Sequence, residues 1–228
     1  MPSARQLVLV IAILSLAVAV PAAALAPPRA ACGVCTDALD TAAAENGITL
    51  EREQSAMAVD VAENGSTRWT ARVALAAGAD RLTNDTLRSN VVADAMEQTY
   101  APATPENVSS HLDGDTLVVT YRDTDAVTSE SDVLLFTSFH ASSPVNPFLI
   151  GGEGTVYAGA DELTVRAPDG YAVQGGYGDA TTTTDTVRWS GDAAGESSID
   201  RSTTIAFVRE DTWFPGVRAS FARLVTSF

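Results

Sequence analysis

The spacing of apolar and polar positions changes several times along this chain, and each change marks an element. After Arg5 the stretch Leu7 to Val20, LVLVIAILSLAVAV, carries no charge and leads into Pro21 and the small residues that follow. A membrane-spanning helix needs roughly 20 apolar residues, and this run reaches that length only by counting Pro21 to Ala26. Ala24-Leu25-Ala26 is an A-x-A pattern, so the order is that of a secretory signal, with an uncleaved anchor helix over residues 7–26 as the alternative. Residues 1–31 are accordingly assigned to a signal peptide or signal anchor.

Downstream the pattern becomes helical over 36–46, where Thr36 or Asp37 can cap the start, Leu39 and Ala43 share a face and Asn46-Gly47 stops the turn. It then switches to period two. Met57, Val59 and Val61, then Trp69, Ala71, Val73 and Leu75, alternate with polar or small residues on either side of Glu63-Asn64-Gly65-Ser66, which predicts a β-hairpin over 57–75. Helical spacing returns over 84–99, with Leu87, Val91, Ala95 and Met96 on one stripe, Arg88, Asp94 and Glu97 off it, and Asn84 or Asp85 as cap. A second hairpin turns at Asp113-Gly114 and feeds Leu117, Val119 and Tyr121. Short strands follow at 133–139, 155–158, 162–166, 171–174, 186–189 and 203–209, with a Pro168-Asp169-Gly170 turn and loops at 175–185 and 190–202.

These elements predict an α+β fold: a mainly antiparallel, sandwich-like sheet with two helices in the first half. Residues 32–125 form the α+β part. Residues 126–212 form a strand-rich part, packed as the same domain or as a second subdomain across 123–131. Residues 213–228 stand apart as a tail: Phe214, Val217, Phe221, Leu224, Val225 and Phe228 recur at helical spacing beside Arg218 and Arg223, and no acidic residue follows Asp211. Such a tail is expected either to dock on the sheet or to touch a membrane surface or an envelope protein.

Charge narrows the environment. The 14 basic residues are all arginine, they face 29 acidic ones, and the net charge is −15. A surface without lysine and rich in Asp and Glu suits concentrated salt, where the Debye length falls to ~3 Å at about 1 M and self-repulsion is screened. The same surface repels phosphates, so nucleic acid is not an expected partner.

Candidate chemistry is sparse. Cys32-Gly33-Val34-Cys35 holds the only two cysteines and precedes a helix. In an oxidising exterior the pair is expected as a disulfide, with a metal pair or a thiol–disulfide exchange site as alternatives. A loop this short closes little chain, so the bridge is expected to add little stability. His111 and His140 are the only histidines and fall in no catalytic motif; Asp113-Gly114-Asp115 and Asp123-Thr124-Asp125 lack the spacing of a calcium loop, and Gly151-Gly152-Glu153-Gly154 lacks the helix of a phosphate cradle. Trp69, Trp189 and Trp213 read as packing on the sheet. Asn64, Asn84 and Asn107 each open an N-x-S/T sequon, so each is a possible glycan site on an exported chain. No catalytic residue, metal site or cofactor is expected.

The order of leader, CGVC, short Ala-rich helix and VDVAENGSTRWTARV (59–73), then ADELTVRAPDGYAV (160–173) and VRWSG (187–191), resembles exported envelope proteins of halophilic archaea, a family to which no activity is assigned. The resemblance implies an extracellular or cell-surface location and carries over no catalytic residue. The function expected is a non-catalytic envelope domain with an interaction or structural role; the alternative is thiol–disulfide or metal chemistry at Cys32 and Cys35.

Overall fold

The computed structural model describes residues 29–98, 105–130, 132–139, 156–191, 198–200 and 202–226. The expected signal or anchor helix lies outside them. The described chain begins in β1 (Arg29–Ala30), which pairs in parallel with β8 (Val156–Tyr157); β13 (Ser198–Ile199) adds antiparallel to β8 and completes a small three-stranded sheet. Residues 29–31, counted with the leader from sequence, are thus part of the folded body. The Ala31 and Cys32 amides donate to the Tyr157 and Ala158 carbonyls at 2.8 and 3.1 Å, and Ala30 and Ala31 are buried.

A seven-stranded sheet forms the spine. It contains the expected hairpin, β2 (Glu51–Val61) with β3 (Thr67–Ala77), then β4 (Glu106–Asp113), β5 (Thr116–Asp123), β9 (Glu162–Arg166), β11 (Thr181–Thr182) and β12 (Thr186–Ser190), in the order β11-β12-β9-β2-β3-β5-β4. Every pairing is antiparallel except β2 with β9, where Met57 lies opposite Leu163. The period-two sequence does what such a pattern must: Met57, Val59, Val61, Trp69, Ala71, Val73, Leu117, Val119 and Tyr121 all face one side and are buried. Gly65 takes the left-handed turn position at φ 83° and Gly114 does so at φ 60° in the second hairpin.

A second, four-stranded sheet runs β10 (Tyr171–Gln174), β14 (Ile205–Arg209), β7 (Val133–Phe136) and β6 (Val127–Glu130), all antiparallel. It covers part of the buried face of the large sheet. Phe136 meets Trp69 at 6.0 Å between ring centroids, Trp69 stacks on Tyr121 at 5.7 Å, and Phe139 bridges Phe136 to Trp189. The same core continues under α1 (Asp37–Glu45) and α2 (Asp85–Gln98), so residues from 32–125 and from 126–212 share one interior. The segment read as a linker, 123–131, contains β6. The loop 175–185 is partly pinned too: β11 pairs with β12, and Tyr177 Oη donates to the Gln174 carbonyl at 2.6 Å and accepts from the Ala206 amide.

Both helix caps follow the sequence. Thr36 Oγ1 accepts from the Ala38 amide, and Asn84 Oδ1 accepts from Thr86 and Leu87. Arg88 departs from it. The side chain expected off the apolar stripe is buried, because its guanidinium satisfies the Leu82 carbonyl at 2.8 Å, pairs with Asp85 at 2.7 Å and donates to Ser110 Oγ.

α3 (Pro215–Thr226) lies on the outer face of the four-stranded sheet, where Ala219 and Ala222 pack against Val133, Leu135, Ala206 and Val208. The layers therefore run α3, four-stranded sheet, seven-stranded sheet, and then an uncovered face of the large sheet.

One glycine tests the first layer contact. Gly159 has φ 69°, and a Cβ there would come within 2.8 Å of both the Ala30 Cβ and the Cys32 carbonyl oxygen. Gly159→Ala is expected to cost about 3 kcal/mol, combining left-handed strain with overpacking, measured as a lowered denaturation midpoint; an unchanged midpoint would show that β1 is not held against β8 as described.

Candidate functional site

Three regions could act on a partner: the CGVC turn, the uncovered sheet face and the outer side of α3. Cys32 and Cys35 are joined in a disulfide with Cα atoms 5.3 Å apart. Both are fully buried within the main core. Gly33 to Cys35 form a single 3₁₀ turn, Thr36 Oγ1 donates to the Gly33 carbonyl at 2.7 Å, and the Arg52 guanidinium binds the Cys35 carbonyl and Asp40 together. The bridge therefore sits under α1 and α2 with no sulfur at the surface, which is the setting of a structural cross-link rather than of exchange chemistry. Among the described residues no group of three or more His, Cys, Asp or Glu is placed to hold a metal ion.

The other sequence-level candidates disperse. His111 is exposed on β4, opposite Val118; His140 and the 151–154 glycines lie outside the described residues. Asp113 and Asp115 flank the second hairpin turn, and Asp123 accepts from the Asp125 amide at 2.9 Å, so these carboxylates shape turns. Burial raises the Tyr121 phenol far above its ordinary range, and the Asp123 carboxylate adds to the rise; stacked on Trp69, it stays a neutral core side chain. Asn64, Asn84 and Asn107 are all exposed. Asn64 Oδ1 accepts from Ser66, and Asn84 Oδ1 caps α2. Neither bond uses the amide nitrogen to which a glycan would attach, so these structural roles leave both sequons open.

Comparison with family models, curated proteins and solved structures returned no match.

The outer side of α3 stands out. Trp69 and Trp189 are core residues as expected, but Trp213 is 81% exposed. Phe214, Val217, Phe221, Leu224 and Val225 join it, and among the described residues the only other large apolar side chain so exposed is Val108. The helix is thus amphipathic in the unusual sense: it buries alanines and presents its bulky residues outward. Tyr177 and Arg223 hold it in that orientation. The Arg223 guanidinium donates to Tyr177 Oη at 2.9 Å and binds the Gln174 carbonyl, and it lies over the Tyr177 ring. At the other end Phe214 has φ 56°, a left-handed conformation that is costly for a bulky residue. That strain, directly before Pro215, coincides with the outward turn of Trp213 and Phe214.

A shallow polar cleft adjoins this ridge, lined by Asp132, Tyr171, Arg209, Trp213 and Arg218 among others. Arg218 reaches Asp132 at 3.4 Å, and Arg209 pairs with Glu63 at 3.6 Å while donating to Tyr171 Oη. Among the described residues no helix is long and apolar enough to cross a membrane.

Burial of both cysteines sets a packing cost against the expectation that the disulfide adds little. The double variant Cys32→Ala/Cys35→Ala is expected to lose about 2–4 kcal/mol, from unfolded-state entropy and the packing void, and the double serine variant more, because it buries two hydroxyls. Treatment with dithiothreitol followed by thiol titration is expected to find no free thiol in the native protein and both after unfolding; native reduction at solvent-exposed rates would contradict the burial.

Proposed function

We propose that this chain is a non-catalytic exported domain of the cell envelope, adapted to high salt, that holds to the membrane surface through the outward apolar face of α3. The observation that carries the reading is the inversion of α3: Ala219 and Ala222 inward; Trp213, Phe214, Val217, Phe221, Leu224 and Val225 outward.

Its energetics favour an occupant. Burying a Val, Leu or Phe side chain fully gains roughly 1.5–3 kcal/mol. Six side chains at half to four-fifths exposure therefore offer a gross gain on the order of 5–10 kcal/mol. Concentrated salting-out ions would increase the penalty for leaving them in water. A domain that keeps such a ridge has a use for it.

Shape supports lipid as the occupant. The ridge is the convex side of one helix, with aromatic residues gathered at its start, which is how an in-plane interfacial helix meets the headgroup boundary. After Asp211 the segment contains Arg218 and Arg223 and no carboxylate, but Arg218 pairs with Asp132 and Arg223 is turned inward onto Tyr177 and Gln174, so the ridge meets a bilayer through its apolar side chains. The apolar leader and the lysine-free acidic composition support the exported, salt-adapted setting.

The test is co-flotation at 1 M NaCl with phosphatidylglycerol vesicles, using phosphatidylcholine vesicles for comparison. The chain from residue 27 is expected to partition onto the anionic vesicles, and Phe221→Glu/Leu224→Glu to reduce partitioning by at least about tenfold, a loss of 1.4 kcal/mol or more. Both side chains are exposed, so the melting midpoint is expected to stay within a degree or two. Wild-type protein that ignores vesicles, or that forms a dimer abolished by the same substitutions, would overturn the lipid assignment.

A further inference from the structure

The uncovered face of the seven-stranded sheet carries a second feature, independent of α3. Strand register aligns its outward side chains in rows. One row runs Thr186, Arg166, Asp60, Arg68, Arg122 and Glu106; the next runs Arg188, Thr164, Ala58, Thr70, Thr120 and Ser109. Arginine recurs on this face in a protein whose surface is otherwise dominated by acid. Most of these arginines have partners: Arg166 pairs with Asp60 at 2.9 Å, Arg188 with Glu162 at 3.4 Å and Arg72 with Asp113 at 3.5 Å.

Arg68 and Arg122 are different. They are register partners on β3 and β5, both are exposed, and among the described residues neither has an ion pair. Like charges directly opposite on adjacent strands destabilise a sheet. The Asp60 carboxylate on one side is already engaged by Arg166, and on the other side the exposed Glu106 stands opposite Arg122 with no ion pair to it among the described residues. The register sets two guanidinium-bearing side chains on adjacent strands, a donor type suited to an oxyanion, with the half-exposed Thr70 and Thr120 beside them in the next row.

We propose that Arg68 and Arg122 form an oxyanion-binding site for the sulfate or carboxylate groups of an acidic polysaccharide. The net charge of −15 argues against a polyanion only at long range. Near 1 M salt the Debye length is ~3 Å, so the body's repulsion is screened while charge-assisted hydrogen bonds at contact distance persist. The outward rows contain no Phe, Tyr or Trp. Without an aromatic platform the face lacks the stacking that single-stranded nucleic acid requires, whereas guanidinium and hydroxyl groups suit a charged polyol. The layer order puts this face on the opposite side of the molecule from α3, so a domain lying on a membrane through α3 would still present it outward.

The experiment measures retention on immobilised dextran sulfate, hyaluronate and uncharged dextran at 1 M NaCl. Wild-type protein is expected to bind dextran sulfate or hyaluronate, the preferred polymer distinguishing sulfate from carboxylate, and to pass through uncharged dextran. Arg68→Ser/Arg122→Ser is expected to weaken binding by about tenfold or more, with an equal or higher melting midpoint because a like-charge pair is removed. Arg81→Ser, an exposed arginine off this face, is expected to bind as wild type. Unchanged affinity in the double variant, no binding of either acidic polymer, or tighter binding of a single-stranded oligonucleotide would overturn the proposal. Vesicle flotation of Arg68→Ser/Arg122→Ser is expected to match wild type, which separates this site's failure from failure of membrane docking.

Discussion

A sheet built from period-two strands can bury only one of its faces, and the seven-stranded sheet depends on what covers that face. Trp69 is the pivot. It is fully buried, its indole Nε1 donates to Thr67 Oγ1 at 2.9 Å, and its ring lies between Tyr121 of the same sheet and Phe136 of the smaller one. Satisfying the indole locally lets a large aromatic group act as pure packing surface. Once the four-stranded sheet sits on Trp69, its own alternation sends Leu134, Phe136, Ile205 and Phe207 inward and Val133, Leu135, Ala206 and Val208 outward. The outward set is also apolar, so that sheet needs a cover, and α3 supplies it. The position of the exposed ridge is thus a consequence of two successive burial requirements.

Local rules account for the parts of this architecture that sequence made legible. The hairpin over 57–75, the caps at Thr36 and Asn84, the left-handed glycines at 65 and 114 and the α+β class all rest on interactions within a few residues. What sequence reasoning missed is non-local. The parallel pairing of β2 with β9 joins segments about a hundred residues apart and leaves no periodic mark. β6 was obscured because Val127–Glu130 is short and polar, and it is a strand only because β7 offers it an edge. Arg88 reads as a surface residue until the Leu82 carbonyl and Ser110 hydroxyl are placed around it.

The candidate sites were legible to different degrees. The helical spacing of the tail was visible, but not which side would face out. Apolar residues at that spacing normally face the core; here the outer face of the four-stranded sheet accepts the small side chains Ala219 and Ala222, and Arg223 fixes the rotation through Tyr177. A useful signal was present in the paired alanines at i and i+3, a close-packing stripe opposite the larger residues. The Arg68 and Arg122 juxtaposition was invisible, because it requires the β3–β5 register, which no local motif encodes. The cysteines were legible as a pair but not as core: their burial depends on α1 and α2 closing over them.

Charge and layering together explain how one small domain can present two different surfaces. In dilute buffer a net charge of −15 would impose one long-range field on every approaching partner. In brine that field collapses within a few ångströms, and recognition is decided by the groups at each face. An apolar ridge and a guanidinium pair can then coexist on opposite sides of the same acidic body without the body's charge dominating either. Arginine suits that regime better than lysine, because its planar fork keeps directional hydrogen bonds when bulk attraction is screened, and because its weaker hydration lowers the cost of contact. Under the high-salt setting proposed above, the absence of lysine and the placement of arginine on β3, β5, β9 and β12 follow from one solvent constraint.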